Sequence, residues 1–326
     1  MNNSFIHDDN KSIYFYILIF LYTYTYIYLI PWENFKEFAD IKNYLYSMYF
    51  HSKNGMIEVA QGKLFLTSEY LWKLILLQLS YFSIDENTLY IVSLFSLTVY
   101  SVFTFKRVHF IIVLLFFFNP IFIDLIMGQI RIALAFSLLL VAFQINSKKA
   151  IALLIAAIMI HASSILFIGV YIVLKHMNRI FKDRNFYIYS IVLSLVIAIF
   201  LKFGIDVFLL ALEDKRANYG DKISGNSLKY AMFWFVVSLI LVFKSYVKEN
   251  SEQLKIIIAF SITMSSLFFF ASLLGSYGQR YVAISIPLII ISIYSLPNNY
   301  AWGLFFLFGI WQLFQSFYWF NLYLYI

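Results

Sequence analysis

The sequence predicts an all-α, polytopic integral membrane protein crossing the bilayer about ten times, at ~20 mostly apolar residues per span. Three observations carry that fold class. The chain is 62% hydrophobic and only 13% charged. Soluble domains lie nearer half apolar and a quarter charged, and no soluble core absorbs this surplus. The apolar runs are continuous, as in Ile111–Phe118 and Ile191–Phe200, where a transmembrane β-barrel would alternate apolar and polar residues. Aromatic residues reach 21%, and Tyr-rich stretches such as Tyr22–Tyr28 fit an interfacial belt.

Lys and Arg number 24 against 17 Asp and Glu. In a soluble protein this excess would point to nucleic acid. In a membrane protein it belongs to cytoplasmic loops, and no nucleic-acid partner is expected. Cysteine is absent, which excludes disulfides, thiol catalysis and Cys-based metal sites. The polar opening MNNSFIHDDNK does not read as a cleavable signal, so the first apolar segment is expected to be a retained helix.

Taken in order, spans are expected near Ile13–Ile30, Leu89–Phe105, Phe110–Met127, Ile130–Phe143, Phe186–Phe203, Tyr230–Phe243, Ile256–Leu274, Tyr281–Leu296 and Trp302–Phe320. Between the first two, Trp32, Phe35, Phe38, Ala39, Leu45 and Tyr46 recur at helical spacing, as in a helix lying in the interface over Pro31–Tyr49. Thr67-Ser68-Glu69 precedes the apolar Leu71–Leu79 run and is read as its cap. Leu71–Phe82 is amphipathic and too short to span. Ala150–Leu174 is long for one span and short for two.

Short basic loops orient the chain. Lys106–Arg107, Lys148–Lys149, the KHMNRIFKDR run from Lys175 to Arg184, and Lys244 with Lys248 and Lys255 are all expected inside. Ala150–Leu174 must then start and end inside, as a broken or re-entrant pair with His161 near its outer tip. Backbone of that kind is tolerated where it is buried in protein or lines a wet cavity. Arg131, His161, the loop around 204–229 and Arg280 then converge on one external side. A single tilted helix over Ala150–Leu174 would flip every later element and dissolve the convergence. The chain is expected to be one membrane domain over 1–326, with an external segment around 31–87 and an external loop around 204–229.

The stretch Asn119–Leu174 carries Asp124, Gln129, Arg131 and His161 inside membrane-grade sequence. A central Arg or Asp costs about 2.5–3.5 kcal/mol on insertion scales. Such residues are kept where they face a polar cavity, find a partner or do chemistry. Arg131 opens an apolar helix just after Gly128-Gln129, where the helix dipole opposes it. Its planar, permanent charge suits an anion clamp for phosphate; snorkelling to lipid headgroups is the plainer alternative. His161, followed by small Ala162, Ser163 and Ser164, is either a satisfied buried histidine or a general base. No second His lies one turn away, so zinc is not expected. Arg280, in GSYGQRYVAISIP, repeats the logic of Arg131. Tyr277, Gln279 and Tyr281 around it suit a sugar or diphosphate site, or an interfacial belt. Asp124, seven residues before Arg131, pairs with it only if the chain bends at Gly128. Asp40, Glu69, Glu213, Asp214 and Asp221 are external carboxylates available as bases or simply solvated.

No phosphate loop, HExxH, GxSxG or HxxxxD signature is present, which disfavours nucleotide-driven chemistry. The stretch GQIRIALAFSLLLVAFQ, a basic turn, and IHASSILF together resemble the EpsG/Wzy-type family of O-antigen or exopolysaccharide repeat-unit polymerases. Gln129, Arg131 and Ala133 match its first helix motif, and Ile160, His161, Ala162, Ser163 and Ser164 its second. Asp40 to Tyr44 matches a DxxxY pattern, Glu69-Tyr70-Leu71 an E(P/Y)L-like start, and Arg280 a late arginine. Gln129 stands two residues before Arg131, where some members differ, and Ser163-Ser164 replace a strict SA pair.

The resemblance implies a GT-C-like multi-helix glycosyltransferase. It would transfer a growing chain from undecaprenyl diphosphate to the next lipid-linked repeat unit, on the periplasmic face of the bacterial cytoplasmic membrane. It implies Arg131, Arg280, His161 and Asp40 in the catalytic set, with Gln129, Tyr277, Gln279, Tyr281, Glu69 and Tyr44 contacting substrate. No cofactor or metal is required, since the lipid–diphosphate bond holds the energy. Membrane lipids and a chain-length regulator protein are the other expected partners. A lipid-linked sugar flippase, an O-antigen ligase and a membrane O-acyltransferase share parts of this pattern. Arg131 and Arg280 are expected on one cavity wall, about 10 Å apart, as two clamps on one diphosphate.

Overall fold

The computed structural model describes residues 13–32, 38–54, 69–145, 148–181, 183–204, 228–245, 251–276 and 278–324. Among them are fourteen α-helices and two π-helical segments, and no strand. The described residues up to Ser164, with those from Gln315 on, form one compact unit; Ile165–Phe314 form a second.

In the first unit the helices are α1 (Ile13–Tyr24), α2 (Ala39–Asn54), α3 (Tyr70–Ser80), α4 (Glu86–Phe105), α5 (Phe110–Phe117), α6 (Pro120–Ile123), α7 (Ile130–Gln144) and α8 (Lys148–Ile160). Segment π1 (Thr25–Leu29) continues α1, and π2 (Asp124–Gly128) continues α6. Helix α4 begins where the Asp85 carboxylate accepts the Thr88 N–H at 2.7 Å, the capping bond expected of an Asp before an apolar run. It packs on α1 and α7, and α7 packs on α8. Buried rings fill the seam: Tyr100 stacks on Phe136 at 6.2 Å and meets Phe122 edge-on at 5.7 Å. Lipid is as apolar as such a core, so packing and interhelical hydrogen bonds carry the cohesion. The Ser93 hydroxyl donates to the Ile126 carbonyl at 2.8 Å, tying α4 to π2. Tyr26 donates to the Phe117 carbonyl at 2.7 Å, tying π1 to α5.

The second unit holds most of α9 (Ser164–Ile180), with α10 (Asp183–Phe203), α11 (Leu228–Lys244), α12 (Glu252–Leu273), α13 (Gln279–Tyr294) and the first part of α14 (Asn298–Leu324). Helix α12 is its centre, packed on α10, α11 and α13. Serines let the helices approach and bond: Ser292 donates to Ser261 at 3.0 Å across α13 and α12. Helix α12 ends in a Schellman turn. Gly275, at φ 71°, takes the left-handed position, and the Ser276 N–H bonds back to the Ala271 carbonyl at 2.8 Å.

Among the described residues, three helices are long and apolar enough to cross a membrane: Glu86–Phe105, Arg184–Phe203 and Glu252–Leu273. A fourth span is formed if the bent pair Phe110–Phe117 and Pro120–Gly128 is counted as one. Several such helices in one chain are the mark of a multi-pass membrane protein. Of the other segments read as spans, α1, α7, α11 and α13 are shorter helices, whereas α14 runs over 27 residues. Helix α7 has 15 residues, or about 22 Å at 1.5 Å per residue. The expected interfacial helix is α2, beginning at Ala39. Residues 33–37, 55–68 and 205–227, and with them most of the loop around 204–229, lie outside the described residues.

One expected span is broken. The segment read as one span over Phe110–Met127 bends by 75° at Phe118-Asn119. Pro120 has no N–H to continue the helix, and the Asn119 side chain caps the new one by accepting the Ile121 N–H at 3.1 Å. Ala150–Leu174, expected as a broken or re-entrant pair, is two helices, interrupted at His161–Ser163.

Candidate functional site

The π-helical turn before α7, the break at His161–Ser163 and the start of α3 build one polar cluster in the first unit. Its backbone is unusual at three points. Asp124–Gly128 is π-helical, a form that clusters at functional sites; the Gln129 N–H bonds five residues back to the Asp124 carbonyl at 2.9 Å. The widened turn is tightly packed at its glycine. A Cβ on Gly128 would stand 3.0 Å from the Phe38 ring and 3.4 Å from an Asp124 carboxylate oxygen. Second, α8 stops at Ile160, the His161 N–H still bonding to Ala157 at 2.9 Å, and a tight turn leads into α9. Third, Glu69 stands at φ 56°, ψ 36°, the left-handed region, just before α3.

Glu69 is the only non-glycine residue at positive φ among the described residues. A residue with a Cβ there is held by its surroundings, at about 1–3 kcal/mol. Of Thr67-Ser68-Glu69, expected to cap α3, Thr67 and Ser68 lie outside the described residues, and the Glu69 carboxylate makes no capping hydrogen bond. Instead Arg131 Nη1 donates to Glu69 Oε2 in a salt bridge. The other oxygen, Oε1, lies 3.1 Å from His161 Nδ1. Three residues separated by 62 and 92 positions thus meet on one carboxylate. The pairing answers the dipole problem at Arg131, because a carboxylate now faces the N-terminal end of α7.

The side chains of Glu69 and His161 are 16% and 11% exposed, and Arg131 is 29% exposed, so the arginine is the open side of the cluster. Several polar atoms around it lack partners. Arg131 Nε, Gln129 Oε1, Ser163 Oγ and Ser164 Oγ are all buried without a hydrogen bond, an unfavourable state that a polar ligand or water relieves. Asp124 accepts from Gln129 Nε2 at 2.9 Å, so the carboxylate considered for Arg131 is engaged one turn earlier.

The remaining expected site residues are placed as follows. Asp40 lies half-buried in the first turn of α2 and takes no part in the Glu69 contacts given above. Tyr44 is buried and meets Trp72 edge-on at 5.2 Å. Arg280 is exposed in the first turn of α13, with Gln279 before it. The Tyr281 ring meets Phe167 at 6.4 Å. Gly278 sets this turn tightly on α12, since a Cβ there would come within 2.9 Å of Phe268. These last belong to the second unit. Tyr277 lies outside the described residues. Among the described residues no group of three His, Asp or Glu could hold a metal ion.

The family model for EpsG matches residues 16–325, nearly the whole chain. The chain belongs to the EpsG family. That family is associated with exopolysaccharide biosynthesis. No curated protein and no solved structure matches the chain. The match takes in every residue of the cluster, so the Glu69–Arg131–His161 constellation is part of an EpsG-family membrane protein.

Proposed function

We propose that this EpsG-family protein is a polysaccharide repeat-unit polymerase, a glycosyltransferase with a GT-C-like arrangement of about ten spans. It acts on undecaprenyl-diphosphate-linked oligosaccharides at the external face of the cytoplasmic membrane. The observation that carries the reading is a buried imidazole and a partly open guanidinium sharing one carboxylate, with unpartnered polar atoms around them.

The reaction needs those two groups. An acceptor hydroxyl attacks the anomeric carbon of the donor; the new C–O bond forms as the bond to the diphosphate breaks. The electron pair leaves on the diphosphate, where a fixed Arg stabilises the developing charge. The hydroxyl proton goes to a base, and His161 is the first candidate, with Asp40 the second. Arg131 is the clamp at the donor, and the sequence reading adds Arg280 as the second. Gln129, Glu69, Tyr44, Tyr277, Gln279 and Tyr281 would contact sugar or diphosphate. A chain-length regulator protein is the expected macromolecular partner. A flippase or an O-antigen ligase would also handle lipid diphosphates, but neither is favoured by a base beside the clamp.

Deletion in the host followed by return of wild type, Arg131→Ala, Arg280→Ala or His161→Ala tests this. Wild type is expected to restore a polymer ladder on a gel, and each variant to leave single-repeat product at normal protein levels. Loss of all surface sugar on deletion, including the single-repeat form, would overturn the polymerase reading in favour of a flippase or ligase.

A further inference from the structure

An ionised carboxylate only accepts hydrogen bonds. Glu69, salt-bridged to Arg131, is such a group. His161 Nδ1, 3.1 Å from Glu69 Oε1, is therefore the ring nitrogen that donates to it, which makes Nε2 the basic atom of the neutral tautomer. Three ionisable groups meet at this junction among the described contacts: Glu69 from the start of α3, Arg131 from α7 and His161 at the end of α8. One side chain thus stands between the anion clamp and the base.

The fold holds that side chain there against local preference. Glu69 occupies a left-handed backbone conformation, which residues with a Cβ avoid. Its carboxylate makes no capping bond to α3. Arg131 points to a missing partner: its Nε is buried and unbonded, as are Gln129 Oε1, Ser163 Oγ and Ser164 Oγ beside the pair in sequence. Glu69 Oε2 occupies one edge of a guanidinium whose geometry suits two-pronged binding of phosphate oxygens.

We propose, resting on the polymerase reading, that Glu69 is a positioning residue whose Oε2 the donor's diphosphate displaces from Arg131, so that donor binding prepares His161 to accept the acceptor's proton. While Arg131 is paired with Glu69, its positive charge opposes the pull of the carboxylate on the imidazole. Once diphosphate oxygens neutralise Arg131, the full charge of Glu69 acts on Nδ1–H and makes Nε2 the stronger base. The acceptor proton passes to Nε2 as the sugar–oxygen bond forms and the diphosphate departs. The base is thereby weakest when no donor is present.

The test uses the full-length protein, with farnesyl diphosphate as a binding probe and the lipid-linked repeat unit for turnover. Glu69→Gln removes the competing charge but keeps the shape. Its affinity for farnesyl diphosphate is expected to rise about tenfold, while kcat falls by roughly 10² or more. KM for the donor and kcat therefore fall together. Glu69→Gly relaxes the left-handed backbone and is expected to give the same tighter binding, which separates the effect from misfolding. Glu69→Asp should recover part of the turnover. A purely structural salt bridge predicts lower melting temperature with unchanged or weaker diphosphate binding; that result in both Glu69→Gln and Glu69→Gly would overturn the proposal. If wild type does not polymerise yet Glu69→Gln binds diphosphate more tightly, the polymerase reading fails and the displacement stands. If wild type polymerises and Glu69→Gln matches it in binding and KM, the displacement fails and the polymerase reading stands.

Discussion

Arg131 is the residue whose setting changes most between sequence and structure. Read along the chain it is an arginine on the wrong end of a helix, equally suited to snorkelling or to an anion site. In the folded protein its charge meets Glu69 at partial burial, where charged hydrogen bonds contribute about 1.5–3 kcal/mol each. Lysine keeps the charge but not the planar fork. Arg131→Lys is therefore expected to fold and to retain the Glu69 pair, while kcat/KM for the lipid-linked donor falls by about 10²–10³, the usual loss for one donor to a developing anion. Single-turnover kinetics measure this. A variant with wild-type turnover would show that charge alone suffices and that the fork geometry is not used.

At the scale of elements, short polar signals decide where apolar helices begin and end. Asn119-Pro120 turns one expected span into a bent pair, and Gly275 closes α12 in a Schellman turn. Asp85 starts α4. The Ser83 hydroxyl donates to its carboxylate, the Thr88 N–H bonds to it at 2.7 Å, and these bonds hold the Asp85 carboxyl below its usual range. A carboxyl depressed in the folded state stabilises the fold above its unfolded pKa and loses that contribution as pH falls through the folded value. The melting temperature of the wild type is thus expected to drop as pH goes below the ordinary carboxylate range. Asp85→Ala should melt lower at neutral pH and lose part of that acid sensitivity. Melting curves of both proteins across the acid range check it; parallel curves would remove Asp85 from the account.

For the molecule as a whole, the decisive fact is what its outer surface is made of. Helix α10 presents Val192, Val196 and Ile199 outward, and Val196 is 58% exposed near the middle of a 20-residue apolar span. In water such exposure is ordinary; in lipid a lysine there costs about 2.5–3.5 kcal/mol. Val196→Lys is expected to lower the amount of protein recovered in the membrane fraction, whereas a lysine at a similarly exposed site on a soluble helix is close to neutral. Undiminished membrane recovery of Val196→Lys would argue that α10 does not face lipid.

Composition and unbroken apolar runs were enough to determine an all-α membrane protein, because lipid admits few ways to satisfy a backbone. The basic loops on either side also made the helix interruption around His161 legible, and the order of short motifs pointed to the EpsG family. Arg131 and His161 stood out singly, since an ionisable group in apolar sequence is costly wherever it is placed. Their meeting was not legible. Glu69 reads as part of a Thr67-Ser68-Glu69 cap, as an external carboxylate and, by resemblance, as a substrate contact, and nothing within a turn of it signals partners 62 and 92 residues away. The π-helical turn before Gln129 and the left-handed backbone at Glu69 were equally hidden, because both run against local preference and exist only where packing holds them. Sequence by itself thus determined the class, the family and the costly residues, which depend on solvent and composition. Only the tertiary structure decided that one carboxylate holds both the arginine and the histidine, because that depends on where distant helices pack.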